Sequence, residues 1–373
     1  MSAPFDTRMM ARALQLARRG RYWARPNPHV GCVLARDGAI IGEGFTQPAG
    51  GNHAEIQALR DAGDAAGATA YVTLEPCSHQ GRTGPCADAL VTAGVVRVVV
   101  ATGDPNPLVG GHGLAKLRAA GVAVEVGLLQ EEARAVTAGF LARMSRGRGR
   151  VRAKLAMSLD GRTAMASGAS QWITGAAARA DVQRLRAASC AIVTGIGTVL
   201  DDDCALTVRP AEMLAGQQDA PLLVTDPDRA PLRVVLDSRL RTPAAAAVLD
   251  DSAPSLLCHD EGIAVPAAIE ASGVERLPLR RGTDGLDLHA LMEHLSARQS
   301  NEILVESGPR LAGALLRAGL LDELIVYMAP ALMGSAARPL LALPLDRMAD
   351  KVPLHIEDIR RVGQDWRITA MPA

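Results

Sequence analysis

The sequence predicts an α/β protein of two domains, and three observations support this fold class. The chain has 373 residues, which exceeds the usual size of a single core, and 48% of them are hydrophobic. In both halves, short apolar runs alternate with segments of helical periodicity, as in strands separated by helices. Residues 145–150 read Ser-Arg-Gly-Arg-Gly-Arg, which has no apolar face and is typical of a linker. We therefore expect one domain over residues 1–147 and a second over residues 148–373.

The elements of the first domain follow from apolar periodicity and from turn residues. Asp37-Gly38 between two apolar runs is a strong hairpin signal, and Gly20 is a plausible helix end. The predicted helices are 8–19, 53–62, 86–93, 114–120 and 130–144, and the predicted strands are 30–34, 39–44, 70–74, 95–101 and 122–126. Helices between strands indicate a largely parallel sheet covered by helices.

The second domain again alternates strands and helices. Thr174 can cap a helix that reaches Ala188, and a second helix is predicted over residues 310–317. The predicted strands are 151–157, 190–194, 232–236, 302–305, 324–328 and 366–370. Residues 210–230 and 243–285 are rich in Ala, Asp and Pro and predict no definite element. This half is therefore also expected to be an α/β domain.

Composition excludes several classes of protein. Forty basic residues balance forty acidic ones, and Trp, Tyr and Phe occur three times each, which disfavours a nucleic-acid partner. No run approaches the roughly 18 apolar residues of a membrane span, and we expect no signal peptide, because residues 1–20 lack an uninterrupted apolar stretch. The six cysteines are scattered rather than framed for disulfides, which indicates a reducing compartment. We expect a cytoplasmic protein with no membrane contact.

One group of residues in the first domain has the chemistry of a zinc site. His53-Ala54-Glu55 opens a predicted helix, Pro76-Cys77 follows a strand, and Cys86 opens the next helix. One imidazole and two thiolates suit Zn²⁺ and leave a fourth position for water, as in catalytic zinc sites. Glu55 lies close to His53 without needing to ligate, so it can carry a proton from water to a departing amino group. His-x-Glu followed by Pro-Cys and a second Cys is the signature of zinc deaminases.

The spacing of the two cysteines departs from that signature, since eight residues separate Cys77 from Cys86. The intervening loop, residues 78–85, is polar, and His79, Arg82 and Thr83 can hold a phosphate or a ring substituent. A solvated loop is the other interpretation of these residues. For the cluster itself, a purely structural zinc site is the alternative to a catalytic one.

In the second domain, two glycine-containing turns follow strands, as in phosphate-binding turns. Glu306-Ser-Gly-Pro-Arg opens a helix, and Gly195-x-Gly197-Thr198 follows another strand, although neither is a dinucleotide fingerprint. Lys154 lies on a strand between apolar neighbours, which is unusual for Lys unless it is paired or functional. Arg186, Arg209 and Trp172 can contact phosphate or a nicotinamide, but solvated arginines and core packing are the common alternatives. A nucleotide cofactor is the hypothesis that unites these turns.

These motifs resemble the bifunctional riboflavin biosynthesis proteins over nearly the whole chain. The first half matches at Pro26-Asn-Pro-His-Val-Gly31, at Gly50-Gly-Asn-His-Ala-Glu55, from Glu75 to Cys86, and at Asp104-Pro-Asn-Pro107 with Gly111-x-Gly113. The second half matches at 154–161, 170–174, 198–203 and 306–309. The resemblance implies a cytidine-deaminase-like α/β/α domain followed by a dihydrofolate-reductase-like domain. It also implies two reactions: zinc-dependent hydrolytic removal of the C2 amino group of a 2,5-diamino-6-ribosylamino-pyrimidinone 5′-phosphate, then NADPH-dependent reduction of the ribosyl group to a ribityl chain.

The resemblance assigns roles residue by residue. It assigns zinc binding to His53, Cys77 and Cys86. It assigns proton transfer to Glu55 and a role in the reduction to Lys154. The positions that match NADPH contacts are Ala156, Trp172, Thr198, Asp202, Ser238, Gly308, Pro309, Arg310, Leu311, Ala312, Gly313 and Ala314. The positions that match substrate contacts are Ser170, Arg186, Leu206, Arg209 and Glu306.

Two residues depart from the family pattern near the deaminase pocket. Thr46 stands where His is common, and Asn52 stands where Pro is common. Two competing hypotheses remain beside the two-step enzyme. One is a nucleoside or tRNA-base deaminase with a second domain that only binds ligands, and the other is a non-enzymatic structural zinc module. A small phosphorylated pyrimidine is the expected partner, and a homo-oligomer, dimer or tetramer, is the expected assembly.

Overall fold

The computed structural model describes residues 3–78, 84–107, 109–214 and 229–373, and divides into two compact units, Met1–Gly147 and Arg148–Ala373. Both units are α/β, so the predicted fold class is confirmed. His79, Arg82 and Thr83 of the polar loop lie outside the described residues. In the described ranges, no helix combines the length and the hydropathy that a membrane span requires.

Unit 1 contains these elements in the residues that the structure describes. The helices are α1 (Ala3–Arg19), α2 (Ala54–Ala62), α3 (Cys86–Thr92), α4 (His112–Ala119), α5 (Gln130–Val136) and α6 (Ala138–Arg146). The strands are β1 (Gly31–Arg36), β2 (Ala39–Phe45), β3 (Thr69–Val72), β4 (Arg97–Val100) and β5 (Ala123–Val126).

These strands form a mixed sheet with helices on both faces. In the described residues the strand order is β2-β1-β3-β4-β5, with β1 antiparallel to both neighbours and β3, β4 and β5 parallel. The prediction of a largely parallel sheet is therefore wrong for its first half, because the Asp37-Gly38 hairpin reverses the chain. Alternate residues of β1 enter opposite cores, with Cys32 facing α2, α3, α4 and α6 and Val33 facing α1 and α5.

The end of unit 1 differs from prediction in two places. The single helix expected over residues 130–144 is broken at Thr137, whose φ of −116° is not helical, into α5 and α6. The linker expected over residues 145–150 is shorter, because α6 continues to Arg146 and a strand begins at Arg150. Gly147 ends α6 in the left-handed conformation that glycine adopts without strain.

Unit 2 continues the same alternation of strands and helices. Its helices are α7 (Ala176–Ala187), α8 (Ile196–Asp202), α9 (Pro210–Leu214), α10 (Ala267–Ala271), α11 (Leu288–Ala297) and α12 (Pro309–Arg317). Its strands are β6 (Arg150–Ser158), β7 (Arg162–Ala164), β8 (Ala191–Gly195), β9 (Leu232–Leu236), β10 (Ser255–Asp260), β11 (Glu275–Leu279), β12 (Arg281–Gly282), β13 (Gly285–Leu286), β14 (Glu302–Glu306), β15 (Glu323–Ala329), β16 (Arg338–Pro339), β17 (Leu354–Val362) and β18 (Asp365–Pro372).

A sheet of nine strands dominates the described part of unit 2, in the order β11-β10-β9-β8-β14-β6-β15-β18-β17. The strands from β11 to β15 are parallel, and β18 and β17 complete one edge in antiparallel orientation. Helices cover both faces, since Val305 of β14 packs with α11 and α12 while the adjacent Leu304 packs with α7. This arrangement brings loops that follow several parallel strands to one edge of the sheet.

The predicted cap of α7 is wrong. The residue at the N-cap is Gly175 rather than Thr174, and it makes no side-chain cap. The carboxylate of Asp365 instead accepts the backbone N–H of Gly175 at 2.8 Å. A buried acid from β18 therefore takes the position at the start of the helix that a local capping residue was expected to fill.

Candidate functional site

Helix α2 carries His53 and Glu55 at its start and lies directly against strand β2. A Cβ placed on Gly44 of β2 would lie 2.2 Å from the carbonyl oxygen of Ala54, so a larger residue would push the helix away. His53 is the N-cap residue of α2, and Glu55 lies in its first turn. This close packing fixes the position of both side chains relative to the sheet.

Helix α3 positions the two cysteines together. The backbone N–H of Cys86 donates to Sγ of Cys77 at 3.3 Å, and the N–H of Ala87 donates to the carbonyl of Cys77 at 3.1 Å. Contacts with the side chain of Cys86 and with His53 lower the pKa of the Cys77 thiol to about 4. The backbone N–H of Cys86 at the start of α3 adds to this effect, because its hydrogen bond to Sγ of Cys77 favours the thiolate that binds metal.

The three predicted ligands converge on one point. Nδ1 of His53 lies 3.2 Å from Sγ of Cys86 and 3.5 Å from Sγ of Cys77, and all three ligand atoms lie within 4.8 Å of one another. Ligand atoms around a tetrahedral zinc ion, each about 2.0–2.3 Å from it, lie roughly 3.5 Å apart. The donor set and the two distances from His53 therefore fit a zinc ion.

Glu55 is a buried acid beside this cluster. It is 3% exposed, and burial raises the pKa of its carboxyl to about 7, although the imidazole of His53 opposes the shift. A carboxyl group whose pKa lies near neutrality can both accept and donate a proton. Burial therefore brings the pKa of the Glu55 carboxyl into the range in which a proton can move in either direction near neutral pH.

Sequence reasoning missed a second buried acid, Glu75, which organises the backbone beside the cluster. Its carboxylate accepts the backbone N–H groups of Gly111 and Gly113, both at 3.1 Å, and of Leu114 at 3.3 Å. Gly113 must be glycine, because a Cβ there would lie 2.0 Å from the carbonyl oxygen of Pro76. The sequence did offer one signal for Glu75. This acid follows the apolar run 70–74 and directly precedes Pro76-Cys77.

Of the two departures from the family pattern, Thr46 contributes its side chain to the local structure and Asn52 contributes its backbone. Thr46 is buried, and its hydroxyl accepts the backbone N–H of Val30 at 3.0 Å. The carbonyl of Asn52 accepts the N–H of Gln47 at 3.1 Å and closes the loop between them. Both residues therefore stabilise the local backbone ahead of α2.

Unit 2 contains a cleft of about 510 Å³, here named the first cleft, lined by residues of β6, α7, α8 and the end of β14. Twelve of the predicted residues line it: Lys154, Ala156, Ser170, Trp172, Arg186, Thr198, Asp202, Leu206, Arg209, Glu306, Gly308 and Pro309. All five predicted substrate contacts are in this set. The first cleft therefore unites predicted positions that are up to 155 residues apart in sequence, from Lys154 to Pro309.

A buried ion pair forms the floor of the first cleft. Arg186 donates to both carboxylate oxygens of Glu306, at 2.6 and 3.0 Å, and to the carbonyl of Thr207 at 2.9 Å. Lys154 is paired in register with Glu306 on the adjacent strand. Burial lowers the pKa of the Lys154 ammonium, while the charge of Glu306 opposes this shift. The predicted functional lysine is thus beside a carboxylate rather than isolated among apolar residues.

The outer wall of the first cleft carries an exposed aromatic residue. Trp172 is 69% exposed, so the core-packing alternative is wrong for this tryptophan. The guanidinium of Arg179 lies over its ring at 4.7 Å from the centroid and donates to the carbonyl of Thr174 at 2.8 Å. Ser170 donates to Asp202 at 3.2 Å across the same wall. Arg179 was missed because one arginine on a helix has no distinguishing sequence signal.

A second cleft, of about 880 Å³, adjoins the first and shares Thr198, Gly308 and Pro309 with it. The further predicted cofactor positions that line it are Ser238, Arg310, Leu311 and Ala314. Ala312 and Gly313 lie away from both clefts. Ala312 is fully buried in the core, and a Cβ on Gly313 would lie 2.5 Å from the carbonyl oxygen of Ala342. Successive residues of a helix point in different directions, and these two point away from the clefts. The prediction assigned all residues from Gly308 to Ala314 to the cofactor and did not take this periodicity into account.

Comparison with known families matches each unit to a different family model. Residues 4–102 match the zinc-binding region of cytidine and deoxycytidylate deaminases, and residues 150–368 match the RibD C-terminal domain. The second match extends over more than half of the chain. The match to a reductase family argues against the alternative of a nucleoside or tRNA-base deaminase with a second domain that only binds ligands.

Relatives match over nearly the full length of the chain. It is 50% identical to the riboflavin biosynthesis protein RibD of Escherichia coli over 364 residues, covering 96% of this chain and 97% of the relative. The RibD protein of Haemophilus influenzae is 45% identical, covering 98% and 97% respectively. Among solved structures, Acinetobacter baumannii RibD (form 1) superposes with a TM-score of 0.88 at 44% identity and covers 100% of both chains.

A solved structure with lower sequence identity also matches the full length of the chain. The Thermotoga maritima protein described as a diaminohydroxyphosphoribosylaminopyrimidine deaminase and 5-amino-6-(5-phosphoribosylamino)uracil reductase has a TM-score of 0.84 at 29% identity, with 99% of each chain covered. The order of the two domains, their folds and the full-length identity all agree with the resemblance seen in the sequence. The chain belongs to the RibD family of riboflavin biosynthesis proteins.

Proposed function

We propose that this bifunctional deaminase and reductase catalyses two consecutive steps, one in each unit. In the first, unit 1 hydrolyses the bond between C2 and its amino group in 2,5-diamino-6-(5-phosphoribosylamino)pyrimidin-4-one and releases ammonia. In the second, unit 2 reduces the ribosyl group of the product with NADPH to give 5-amino-6-(5-phosphoribitylamino)uracil. The observation that supports this best is the presence of two kinds of site in one chain. Unit 1 has a ligand cluster with an adjacent buried acid, and unit 2 has the adjoining first and second clefts, together named the double cleft.

In the deamination, His53, Cys77 and Cys86 would hold the zinc ion, which supplies Lewis-acid activation of water when bound. Glu55 accepts a proton from the attacking water and delivers it to the leaving amino group, which departs as ammonia. Its burial beside the ligand cluster supports this role. The carboxylate of Glu75 holds the backbone of Gly111 and Gly113 and so keeps the wall next to Cys77 in place.

In the reduction, the substrate would occupy the first cleft and NADPH would extend from it into the second cleft. NADPH supplies a hydride when bound. Arg186 and Glu306 orient the substrate from the cleft floor, and Lys154 beside them provides a positive charge and a hydrogen-bond donor. Ser170, Leu206 and Arg209 complete the substrate side.

The cofactor side is proposed from the lining of the two clefts. Trp172 and Ala156 are assigned to the nicotinamide half, and the turn at Gly308 and Pro309 to the phosphates, because it starts helix α12 between the two clefts. Thr198, Asp202, Ser238, Arg310, Leu311 and Ala314 complete the proposed contacts. A homo-oligomeric assembly and the absence of a nucleic-acid partner stay predictions from the sequence.

The order of the two steps can be tested with the purified, zinc-loaded protein. We expect ammonia release from the diaminopyrimidine ribotide without NADPH. With NADPH present, its oxidation should begin only after a lag during which the deaminated product accumulates. Oxidation of NADPH without any prior ammonia release would contradict the proposed order.

A further inference from the structure

The second cleft of unit 2 carries an excess of positive charge. Its charged lining consists of four arginines and two aspartates: Arg241, Arg281, Arg310, Arg338, Asp201 and Asp284. Both aspartates are already paired, Asp201 with Arg338 at 3.1 Å and Asp284 with Arg317 at 3.7 Å. The remaining arginines therefore face the cleft without neutralisation by its own acids.

Within the described ranges, neither Arg241 nor Arg310 has a carboxylate oxygen within 4.0 Å, and Arg281 reaches one, on Asp260, only at 4.0 Å. The first cleft is different, because Arg186 on its floor is neutralised by Glu306 at 2.6 Å. Guanidinium groups that line one cleft with few acidic partners fit a bound anion, and phosphate suits their planar donor geometry.

The loop that carries Arg241 is held in place by the buried carboxylate of Asp237. Asp237 is fully buried, and one of its carboxylate oxygens accepts the backbone N–H of Thr242 at 2.7 Å and the hydroxyl of Thr242 at 2.8 Å. The N–H of Leu240 also donates to the carbonyl of Asp237 at 3.0 Å. These bonds close the turn that brings Ser238 and Arg241 to the cleft. The arginine is therefore presented on a preorganised turn rather than on a loose loop.

Arg241 and Arg281 lie on the side of the double cleft that is remote from the substrate residues. Lys154 is on β6, and Arg241 follows β9, which is three strand positions away in the order β9-β8-β14-β6. With a spacing of about 4.8 Å between strands, this amounts to about 14 Å along the edge of the sheet. An elongated ligand whose reactive end lies in the first cleft would place its far end beside these arginines.

We propose that Arg241 and Arg281 bind the phosphate on the adenine ribose of NADPH and thereby select NADPH over NADH. This inference rests on the proposed function, in which NADPH occupies the joined clefts. The adenine-ribose phosphate is the group that distinguishes the two cofactors, and the second cleft offers it positive charge that its own acids do not neutralise. A cofactor without that phosphate leaves Arg241 without an anionic partner and leaves Arg281 with only the carboxylate of Asp260 at 4.0 Å.

The test is a binding measurement on the full-length protein by isothermal titration calorimetry, with NADP⁺ and NAD⁺ as probes. We expect Arg241→Ala and Arg281→Ala each to weaken NADP⁺ binding by about 10–100-fold, the range of a lost charge-assisted contact, and to change NAD⁺ binding less than about twofold. Arg239→Ala in the same loop and Arg280→Ala beside the hairpin are matched controls, since both side chains are exposed and line neither cleft. These controls should bind both probes like the unmodified protein.

Two other results would overturn the proposal in distinguishable ways. In the first, NADP⁺ binds tightly to the unmodified protein, but each variant weakens the binding of NADP⁺ and NAD⁺ equally or changes neither. The arginines then do not contact this phosphate, and the reductase assignment still stands. If the unmodified protein binds neither dinucleotide, the NADPH assignment itself fails. Adenosine 2′,5′-bisphosphate and adenosine 5′-monophosphate provide a second pair of probes, and Arg241→Ala should weaken only the bisphosphate.

Discussion

The ligand cluster of unit 1 and the double cleft of unit 2 place their chemistry in opposite ways. The cluster brings three side-chain atoms within 4.8 Å of one another, from the starts of two helices and from the segment between β3 and α3. The double cleft draws on β6, α7, α8, β14, α12 and the loop after β9, and much of its charge is exposed. Loss of one atom in the cluster removes a ligand that nothing replaces, whereas loss of one cleft residue leaves most contacts intact. The two sites should therefore respond differently to the same kind of perturbation.

Removal of the metal should give the largest contrast. Dialysis of the full chain against a chelator is expected to abolish ammonia release, because no described residue outside the cluster offers a comparable set of His, Cys, Asp or Glu ligands. Reduction of separately supplied deaminated ribotide should change less than about twofold in the same sample. Restoration of ammonia release by zinc is the control, and a parallel loss of both activities would contradict the separation of the two sites.

Glu306→Gln should have the largest effect on the stability of unit 2. The substitution leaves the guanidinium of Arg186 buried without its carboxylate, which typically costs about 3–5 kcal/mol of unfolding free energy. Glu275→Gln breaks the exposed pair with Arg298 and should cost less than about 1 kcal/mol. Denaturant unfolding followed by circular dichroism measures both. Equal losses in the two variants would show that burial of the first pair has no special effect.

Lys154→Met should impair the reduction alone. Methionine keeps the length of the side chain but removes the charge beside Glu306, so reduction of the deaminated ribotide should slow by about 10–100-fold. Ammonia release by the same preparation serves as the internal control and should not change. An unchanged rate of NADPH oxidation would remove Lys154 from the reductase site.

The smallest effect is expected at Thr46. Thr46→Val removes the hydroxyl that accepts the N–H of Val30, at a cost of about 1 kcal/mol in the unfolding free energy of unit 1. Thr7→Val, at an exposed position of α1, should be nearly neutral. A loss of zinc affinity in Thr46→Val with no change in stability would show that Thr46 acts on the metal site rather than on the backbone.

The sequence pointed to the residues that converge in unit 1 because their pattern is local. His53, Glu55, Cys77 and Cys86 have residue types that are rare together, at spacings set by two helix starts, so the pattern is visible without a structure. Most strands were also predictable, since their apolar runs are bounded by glycine, serine or aspartate. Prediction was weaker where long-range contacts decide the outcome, as at Gly175, whose N–H bonds to a carboxylate 190 residues away.

The double cleft could be predicted only in part, and its residues show why. Arg186 and Glu306 form a pair that joins positions 120 residues apart, so each by itself looked like an ordinary charged residue. Arg179 and Arg241 have no motif at all, and their relevance appears only once strand order brings them to one edge of the sheet. The family resemblance supplied the assignments that local physics did not, but it also included Ala312 and Gly313, which the helix turns into the core.

The central claim is that Glu55 serves only the first of two consecutive reactions, and one variant tests it directly. Glu55→Gln retains all three zinc ligands, so the protein should bind zinc normally while ammonia release falls by about 10²–10⁴-fold. The variant should fail to oxidise NADPH when given the diaminopyrimidine ribotide, yet should oxidise it at the unmodified rate when given the deaminated ribotide. Normal ammonia release by the variant, or a failure to reduce the deaminated ribotide, would contradict the account.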